Sequence, residues 1–204
     1  MVERQLRRRG IEDERVLAAM GEVPREAFLP QKLRDQAYAD SALPIGEEQT
    51  ISQPWIVAAI CQALELEGSE LVLEVGTGSG YSAAVLARLA AHVVSIERYE
   101  PLAQAAATVL ESLGVRNVEL VGGDGSLGAP QRAPFDAIAV HAAAPAAPPA
   151  LVKQLTDGGR LVVPVSGGDA DMLTLLRRCG DRVDAVEMGP CRFVPLIGQE
   201  GFEG

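Results

Sequence analysis

The chain of 204 residues is 48% hydrophobic and only 4% aromatic, and it carries a formal net charge of −10. This length suits one domain with a substantial core, and the apolar content excludes a mainly disordered chain. Sequence-independent nucleic-acid binding is also excluded, because it needs clustered Lys and Arg to neutralise phosphates. The one basic cluster, Arg7–Arg9, fits a solvated helix face.

The cysteines indicate neither a metal site nor a disulfide framework. Cys61, Cys179 and Cys191 are far apart in the chain and form no Cys-x-x-Cys pair. Free thiols of this kind are typical of a reducing compartment. The charged N-terminus lacks the apolar core of a signal peptide, and Pro, Gly or charged residues interrupt each apolar stretch before membrane-spanning length. We therefore expect a cytoplasmic monomer without a metal or a membrane segment.

Helical segments are predicted in the first third of the chain. Apolar residues recur at helical spacing in Glu12–Met20, a second short helix begins at Pro24, and a third covers Pro54–Leu66. Between them lies the polar and irregular segment Ala37–Pro54. It is too long for a plain connection, and segments of this kind are usually functional loops.

From Leu71 onward, apolar strands alternate with helical segments, which predicts parallel pairing with right-handed crossovers. The predicted strands are 71–76, 92–97, 117–124, 135–141 and 160–165. The predicted helices are 81–91, 101–114 and 149–155. The tail differs, because 172–178 and 182–188 flank a Cys-Gly-Asp turn and predict an antiparallel hairpin. A last strand is predicted at Cys191–Gly198.

These patterns predict an α/β fold, with a Rossmann-like sheet and helices on both faces. We expect a single domain, residues 1–204, in which 1–54 form an N-terminal helical extension and a functional loop. Residues 55–204 then form the Rossmann-like core, which ends in the antiparallel hairpin. In such a sheet, ligands bind beyond the carboxyl ends of the strands, where the strand order reverses.

The glycine-rich segment after the first predicted strand lies at that position. Gly76, Gly78 and Gly80 have the spacing G-x-G-x-G, whereas the dinucleotide fingerprint G-x-G-x-x-G would place its third glycine at Tyr81. No lysine lies in or just after this segment, so it is not a phosphate-binding P-loop either. The spacing therefore argues against a dinucleotide and against a nucleoside triphosphate.

Acidic residues at the strand ends indicate a ligand with positive charge. Glu74 precedes the glycines, where a carboxylate repels a diphosphate and attracts a cation. Glu97 ends the second strand, where a carboxylate accepts hydrogen bonds from both ribose hydroxyls, and Asp124 ends the third strand, within reach of an adenine amino group. A nucleoside with an acidic lining and no phosphate site describes S-adenosylmethionine. The simpler alternative is that Glu74 and Glu97 are solvated strand ends.

Segments along almost the whole chain resemble protein-L-isoaspartate O-methyltransferases, in sequence and in order. They are PREAFLP, AYADSALPIGEEQTISQP, VLEVGTGSGYSAAVLA, GDG, APFDAIAV, GGRLVVPV and RFVPLIG. The glycine loop is shared with most methyltransferases, whereas LPIGEEQTISQP and RFVPL are distinctive of this family. The resemblance covers about Val2 to Gly198 and implies an S-adenosylmethionine-dependent methyltransferase sheet.

The resemblance implies methyl transfer from S-adenosylmethionine to the α-carboxyl of L-isoaspartyl residues in damaged proteins and peptides. S-adenosylhomocysteine is the product, and the methyl ester collapses to a succinimide that hydrolyses in part to aspartate. The reaction requires no base or metal, because a carboxylate with a pKa of about 3.5 is ionised at neutral pH. Catalysis then depends mainly on proximity and orientation.

The same resemblance, together with the strand-end acids, assigns the candidate site residues. Ser52 corresponds to the active-site residue, with capping of the following helix as an equal alternative role. The expected substrate contacts are Ile45, Ser52, His141, Arg192 and Val194. The expected cofactor contacts are Thr50, Ile51, Glu74, Gly76, Thr77, Gly78, Ser79, Gly80, Glu97, Gly123, Asp124 and Gly125.

Three residues depart from the usual family pattern, and three other functions remain open. Trp55 stands in place of Tyr, His141 in place of Thr and Asp171 in place of Gln, which changes local contacts and not the reaction. One alternative is a methyltransferase with a small-molecule acceptor, which leaves LPIGEEQTISQP and RFVPL unexplained. The others are a module that kept the sheet but lost its ligand, and a nicotinamide oxidoreductase, against which Tyr81 argues.

Overall fold

The computed structural model describes residues 1–203 and shows a seven-stranded sheet with helices packed against it. The strands are β1 Leu43–Gly46, β2 Gln49–Ile51, β3 Leu71–Val75, β4 His92–Glu97, β5 Val118–Gly122, β6 Phe135–Val140, β7 Leu155–Ser166, β8 Asp171–Cys179 and β9 Arg182–Cys191. The α-helices are α1 Glu14–Glu22, α2 Pro54–Ala63, α3 Tyr81–Leu89, α4 Glu100–Ser112 and α5 Pro149–Lys153. Among the described residues, none of the helices is long and apolar enough to cross a membrane.

The sheet has the strand order β5-β4-β3-β6-β7-β8-β9. Strands β3 to β7 are parallel, and β8 and β9 add to the edge of β7 as an antiparallel hairpin. The chain enters at β3, moves outward to β5 and then crosses to β6 on the other side of β3. Ligands of open α/β sheets bind at such a reversal, beyond the carboxyl ends of the strands. The predicted Rossmann-like sheet and C-terminal hairpin are confirmed.

Two hydrophobic clusters cover the two faces of the sheet. Val72 belongs to the cluster that contains α1, α2 and α3, whereas Leu73 belongs to the cluster that contains α5. Side chains alternate between the faces along a strand, so Glu74 lies on the same face as Val72. Ser95 of β4 is the register partner of Glu74 and lies on that face too. A carboxyl group is thus placed in the layer between the sheet and helices α2 and α3.

The N-terminal part is helical, as predicted, although only α1 is a regular α-helix. Asp13 caps α1 by accepting hydrogen bonds from the N–H groups of Arg15 and Val16. The segment after Pro24 forms one 3₁₀ turn, Arg25–Phe28. The predicted loop 37–54 contains the short antiparallel pair of β1 and β2, which the sequence analysis treated as irregular.

The prediction of a last strand at Cys191–Gly198 is wrong. Strand β9 continues to Cys191, and the residues after it contact the loop that follows β6 instead of the sheet edge. Ala143 N donates to Val194 O (2.8 Å), and Leu196 N donates to Ala143 O (2.7 Å). Pro195 has no N–H and cannot donate to a strand ladder. This segment therefore lies over the carboxyl ends of the strands, where it forms part of a cavity wall.

Candidate active site

A cavity of about 260 Å³ lies at the carboxyl ends of β3, β4 and β6. It brings together most of the residues that the sequence assigns to the cofactor. Those that line it are Thr50, Ile51, Gly76, Thr77, Gly78, Ser79, Glu97 and Gly125. Three predicted substrate residues, Ser52, His141 and Val194, line it as well.

The glycine loop between β3 and α3 has left-handed backbone at each of its glycines. The φ angles are 92° at Gly76, 54° at Gly78 and 87° at Gly80. Residues other than glycine rarely adopt this region of backbone conformation. A Cβ on Gly80 would lie 3.1 Å from the Cβ of Ala106, and one on Gly78 would lie 3.4 Å from Cδ1 of Ile45. Gly76 and Gly78 therefore expose backbone to a ligand, whereas Gly80 lets the loop pack closely on α4, and β1 lies directly over the loop.

Glu97 is held at the cavity wall by backbone hydrogen bonds. Its Oε2 accepts from Gly78 N (2.8 Å) and its Oε1 accepts from Tyr99 N (2.9 Å). Each carboxylate oxygen still has a lone pair, so two neighbouring hydroxyl groups can donate to Glu97 at once. The site therefore has the fixed acceptor that a ribose requires.

Glu74 lies behind the cavity wall and is completely buried. Ser95 Oγ donates to its Oε2 (2.5 Å), and Thr77 Oγ1 is 2.5 Å from Ser95 Oγ. The other oxygen, Oε1, makes no hydrogen bond and lies 3.5 Å from His141 Nε2. Burial raises the pKa of Glu74 to about 7, although the hydrogen bond from Ser95 and the nearby hydroxyl of Ser82 act in the opposite direction. Glu74 is thus not a solvated strand end.

His141, directly after β6, borders two cavities and carries no charge at neutral pH. Its Nε2 is 2.7 Å from Ser82 Oγ, and its Nδ1 is buried without a hydrogen-bond partner. Burial lowers the pKa of His141 to about 4. The ring therefore adds no positive charge to a site with acidic walls.

Of the three predicted cofactor residues Gly123, Asp124 and Gly125, one lies in the cavity wall. Gly125 lines the cavity, whereas Gly123 and Asp124 do not. The Asp124 carboxylate accepts from Ser126 N (2.9 Å) and from Gln199 N (2.7 Å), so it holds the C-terminal segment to the turn after β5. Burial raises the pKa of Asp124, but hydrogen bonds from Gln199 and Ser126 outweigh it and hold the pKa below its usual value. Adenine recognition by Asp124 stays a prediction.

A second cavity of about 510 Å³ adjoins the first. The residues that line both are Thr50, Ser52, His141 and Val194. Arg192 lines the second cavity only, and Ile45 lines neither. Helix α2 begins at Pro54 with Gln53 as its cap residue and no side-chain capping bond, so Ser52 does not cap it. The Ser52 side chain instead lies where the two cavities meet.

Several residues of these walls were not predicted from the sequence, and three of the charged ones illustrate why. Glu47 and Glu48 line the first cavity from the turn between β1 and β2, and the distinctive loop motif that contains them was the available signal. Arg9 lines the second cavity, with its guanidinium 4.8 Å from the centre of the Trp55 ring and an ion pair to Asp40 (2.6 Å). No local pattern reveals a contact across 46 residues of chain. In residues 1–203, no group of three or more His, Cys, Asp or Glu is placed to hold a metal ion.

Comparison with known proteins identifies the family. The sequence profile of the family protein-L-isoaspartate(D-aspartate) O-methyltransferase matches residues 1–201. The chain belongs to this family. Protein-L-isoaspartate O-methyltransferase 1 of Rhodopseudomonas palustris is 55% identical over 205 residues, which cover 99% of this chain and 83% of the relative. The protein-L-isoaspartate O-methyltransferase of Methanoculleus marisnigri is 53% identical, with 100% and 93% covered.

One solved structure supports the same assignment, and a second supports the fold. A protein-L-isoaspartate O-methyltransferase superposes with a TM-score of 0.88 at 32% identity, covering 98% of this chain and 67% of that one. A Plasmodium falciparum protein named for the same activity, solved with S-adenosyl-L-homocysteine, has a TM-score of 0.80 at 24% identity and covers 94% of both chains. These findings confirm the predicted protein-L-isoaspartate O-methyltransferase family and its Rossmann-like fold.

Proposed function

We propose that this protein transfers the methyl group of S-adenosylmethionine to the α-carboxyl of L-isoaspartyl residues in damaged proteins and peptides. The observation that carries the proposal is the pair of adjoining cavities in a chain of this family. One cavity has the fixed carboxylate of Glu97 and the glycine loop, and the other has the space and the cationic side chains for an anionic peptide group. Ser52 and His141 lie where they meet.

The charges around the first cavity fit a cationic nucleoside. Glu47, Glu48 and Glu97 line it, and Arg98 is the one basic side chain among the described lining residues. This surplus of negative charge favours a sulfonium and an ammonium group and disfavours phosphates. S-adenosylmethionine, when bound, supplies a methyl group on a positively charged sulfur.

The protein's own contribution is to bind and orient the two substrates. The attacking carboxylate is already ionised at neutral pH, so no side chain has to remove a proton from it. Arg9 and Arg192 favour an anionic group in the second cavity, in a chain whose net charge is −10. Neutral His141 and the hydroxyl of Ser52 border the contact point, where alignment of the carboxylate with the methyl group supplies the rate enhancement.

We also propose a broad range of peptide partners and a monomeric protein that does not bind nucleic acid. The lining of the second cavity includes the aromatic side chains of Trp55 and Phe193 and the cationic side chains of Arg9 and Arg192, which suit an anionic peptide group in varied sequence surroundings. The acidic surface charge opposes phosphate binding. Cys61, Cys179 and Cys191 are unpaired, which supports a reducing compartment such as the cytoplasm.

The proposal is tested by labelled methyl transfer to an isoaspartyl peptide and to its normal aspartyl twin. We expect incorporation into the isoaspartyl peptide alone, and a loss of about tenfold or more in kcat/KM for Ser52→Ala, because a polar contact at the reacting carboxylate is removed. Ser112→Ala, a change on the exposed surface of α4, is the matched control. Equal labelling of the two peptides, or labelling of neither by a protein that binds the cofactor, contradicts the proposal.

A further inference from the structure

We propose that the buried pair Glu74–His141 holds one proton in the free protein and releases it when S-adenosylmethionine binds, but not when S-adenosylhomocysteine binds. The pair thereby makes the protein distinguish the methyl donor from its product by charge. This inference rests on the proposed function, because it takes these two molecules as ligands of the cavity beside the pair.

The geometry places a shareable proton between two specific atoms. Glu74 Oε2 is occupied by the hydrogen bond from Ser95, whereas Oε1 has no hydrogen-bond partner and faces His141 Nε2 at 3.5 Å. Both side chains are withdrawn from solvent. A carboxylate buried without a full set of hydrogen bonds is costly, so protonation of the pair is the simplest way to relieve that cost.

Among the described residues, those around the pair supply no permanent positive charge that would keep Glu74 ionised. Cys61 faces it from α2, Ser82 from α3, and Ser95 and Glu97 from β4. The Glu97 carboxylate adds repulsion, and the ion-pair contact of Glu74 is with His141 alone within residues 1–203. The missing cation is therefore one that a ligand can supply.

The pair borders the cavity closely enough to respond to the charge of a ligand. His141 forms part of the cavity wall, and Thr77 and Ser82, which are hydrogen-bonded into the same cluster, line it as well. S-adenosylmethionine carries a sulfonium cation that its product lacks, while the rest of the two molecules is the same. An added positive charge in a weakly screened site favours the carboxylate form of Glu74, so the proton leaves to the buffer.

The direction of the pH dependence follows from linkage. Burial raises the pKa of Glu74 to about 7 in the free protein, and the sulfonium lowers it in the complex. Below about pH 7, binding must expel the proton, so affinity for S-adenosylmethionine increases with pH by up to about tenfold per pH unit. Above that pH the affinity is constant. S-adenosylhomocysteine has no such dependence, so product inhibition is stronger under acidic conditions.

The test is calorimetric titration with each ligand, in pairs of buffers with different ionisation enthalpies, from about pH 6 to pH 8. The dependence of the heat on buffer gives the number of protons released. We expect fractional release of up to about one proton for S-adenosylmethionine at the acidic end, and almost none for S-adenosylhomocysteine. Equal release with both ligands overturns the inference. Absence of binding by either ligand overturns the proposed function, and this inference with it.

Three variants identify the group that loses the proton. Glu74→Gln has the same shape, keeps an acceptor for Ser95 and should abolish both the proton release and the pH dependence. Ser95→Ala removes a hydrogen bond that favours the carboxylate, so the window of proton release should move to higher pH. Glu111→Gln, the matched control, removes an exposed carboxylate of α4 that lines neither cavity and should keep the proton release. Release that persists unchanged in Glu74→Gln and Ser95→Ala would show that another group carries the proton.

Discussion

Replacement of Glu97 by alanine should weaken binding of S-adenosylhomocysteine by about 10²–10³-fold. Both carboxylate oxygens are fixed by the N–H groups of Gly78 and Tyr99, and each has a lone pair for one ribose hydroxyl. Hydrogen bonds to a charged acceptor contribute about 1.5–3 kcal/mol each. Two such bonds, partly replaced by water in the variant, correspond to about 3–4 kcal/mol, and about 1.4 kcal/mol is a factor of ten in affinity.

The assay is calorimetric titration of the wild type and two variants with S-adenosylhomocysteine. Glu97→Gln keeps the size of the side chain but loses the charge and one acceptor, so its affinity should lie between those of the wild type and the alanine variant. Glu100→Ala, an exposed acid on α4, controls for net charge and should bind as the wild type does. A folded Glu97→Ala protein that binds within about threefold of the wild type would refute the ribose assignment.

Two further predictions concern stability. Gly125→Ala should lower the free energy of unfolding by about 1–3 kcal/mol, because the new Cβ would lie 2.5 Å from Cγ1 of Val75, and a fall in melting temperature would measure it. Gly122→Ala is the control, since a Cβ there meets no atom within 4 Å. The folded-state pKa of Glu74, raised by burial to about 7, means that wild-type stability falls as pH rises from about 4.5 to 7, by up to about 3 kcal/mol. Denaturant unfolding of both proteins measures this effect. The free energy of unfolding of Glu74→Gln should rise relative to that of the wild type between about pH 4.5 and pH 7, and it should keep that advantage at pH 8. Curves that stay parallel over this range would show that folding does not raise the pKa of Glu74.

The parallel core could be predicted because its signals are local. The run before Gly76, apolar except for Glu74, is typical of a strand covered on both faces, and proline and glycine mark the ends of the helices between strands. The Cys-Gly-Asp turn at Cys179–Asp181 predicted the hairpin for the same reason. Each of these patterns involves neighbours in sequence, so no knowledge of distant contacts was needed.

The conformation of residues 192–198 could not be predicted correctly, because it depends on tertiary contacts. The segment after Cys191 has the continuous apolar run of a buried strand, yet Pro195 cannot donate a ladder hydrogen bond. Ala143, about fifty residues away in sequence, supplies the main-chain partners on either side of this proline. The pattern of side chains in a segment does not determine which backbone groups will pair with it by hydrogen bonds.

The candidate site was predictable where strand ends and loops define it, and less so where burial decides. The role of Glu97 and the glycine loop in ligand binding could be predicted, because both lie at the carboxyl edge of the sheet. The environment of Glu74 depends on Ser95, Ser82 and His141, which come from three other elements. The sequence therefore indicated a carboxylate near the ligand without indicating that it is buried in a hydrogen-bonded cluster.

A comparison of ligands in one calorimeter tests whether the charge of the cavity selects the ligand. S-adenosylhomocysteine, NADH and ATP share an adenosine group, which carries a zwitterionic amino acid in the first and negatively charged phosphates in the other two. The acidic walls formed by Glu47, Glu48 and Glu97 predict binding of S-adenosylhomocysteine and no measurable heat with NADH or ATP. Tight binding of NADH or ATP to a protein that ignores S-adenosylhomocysteine would contradict the account.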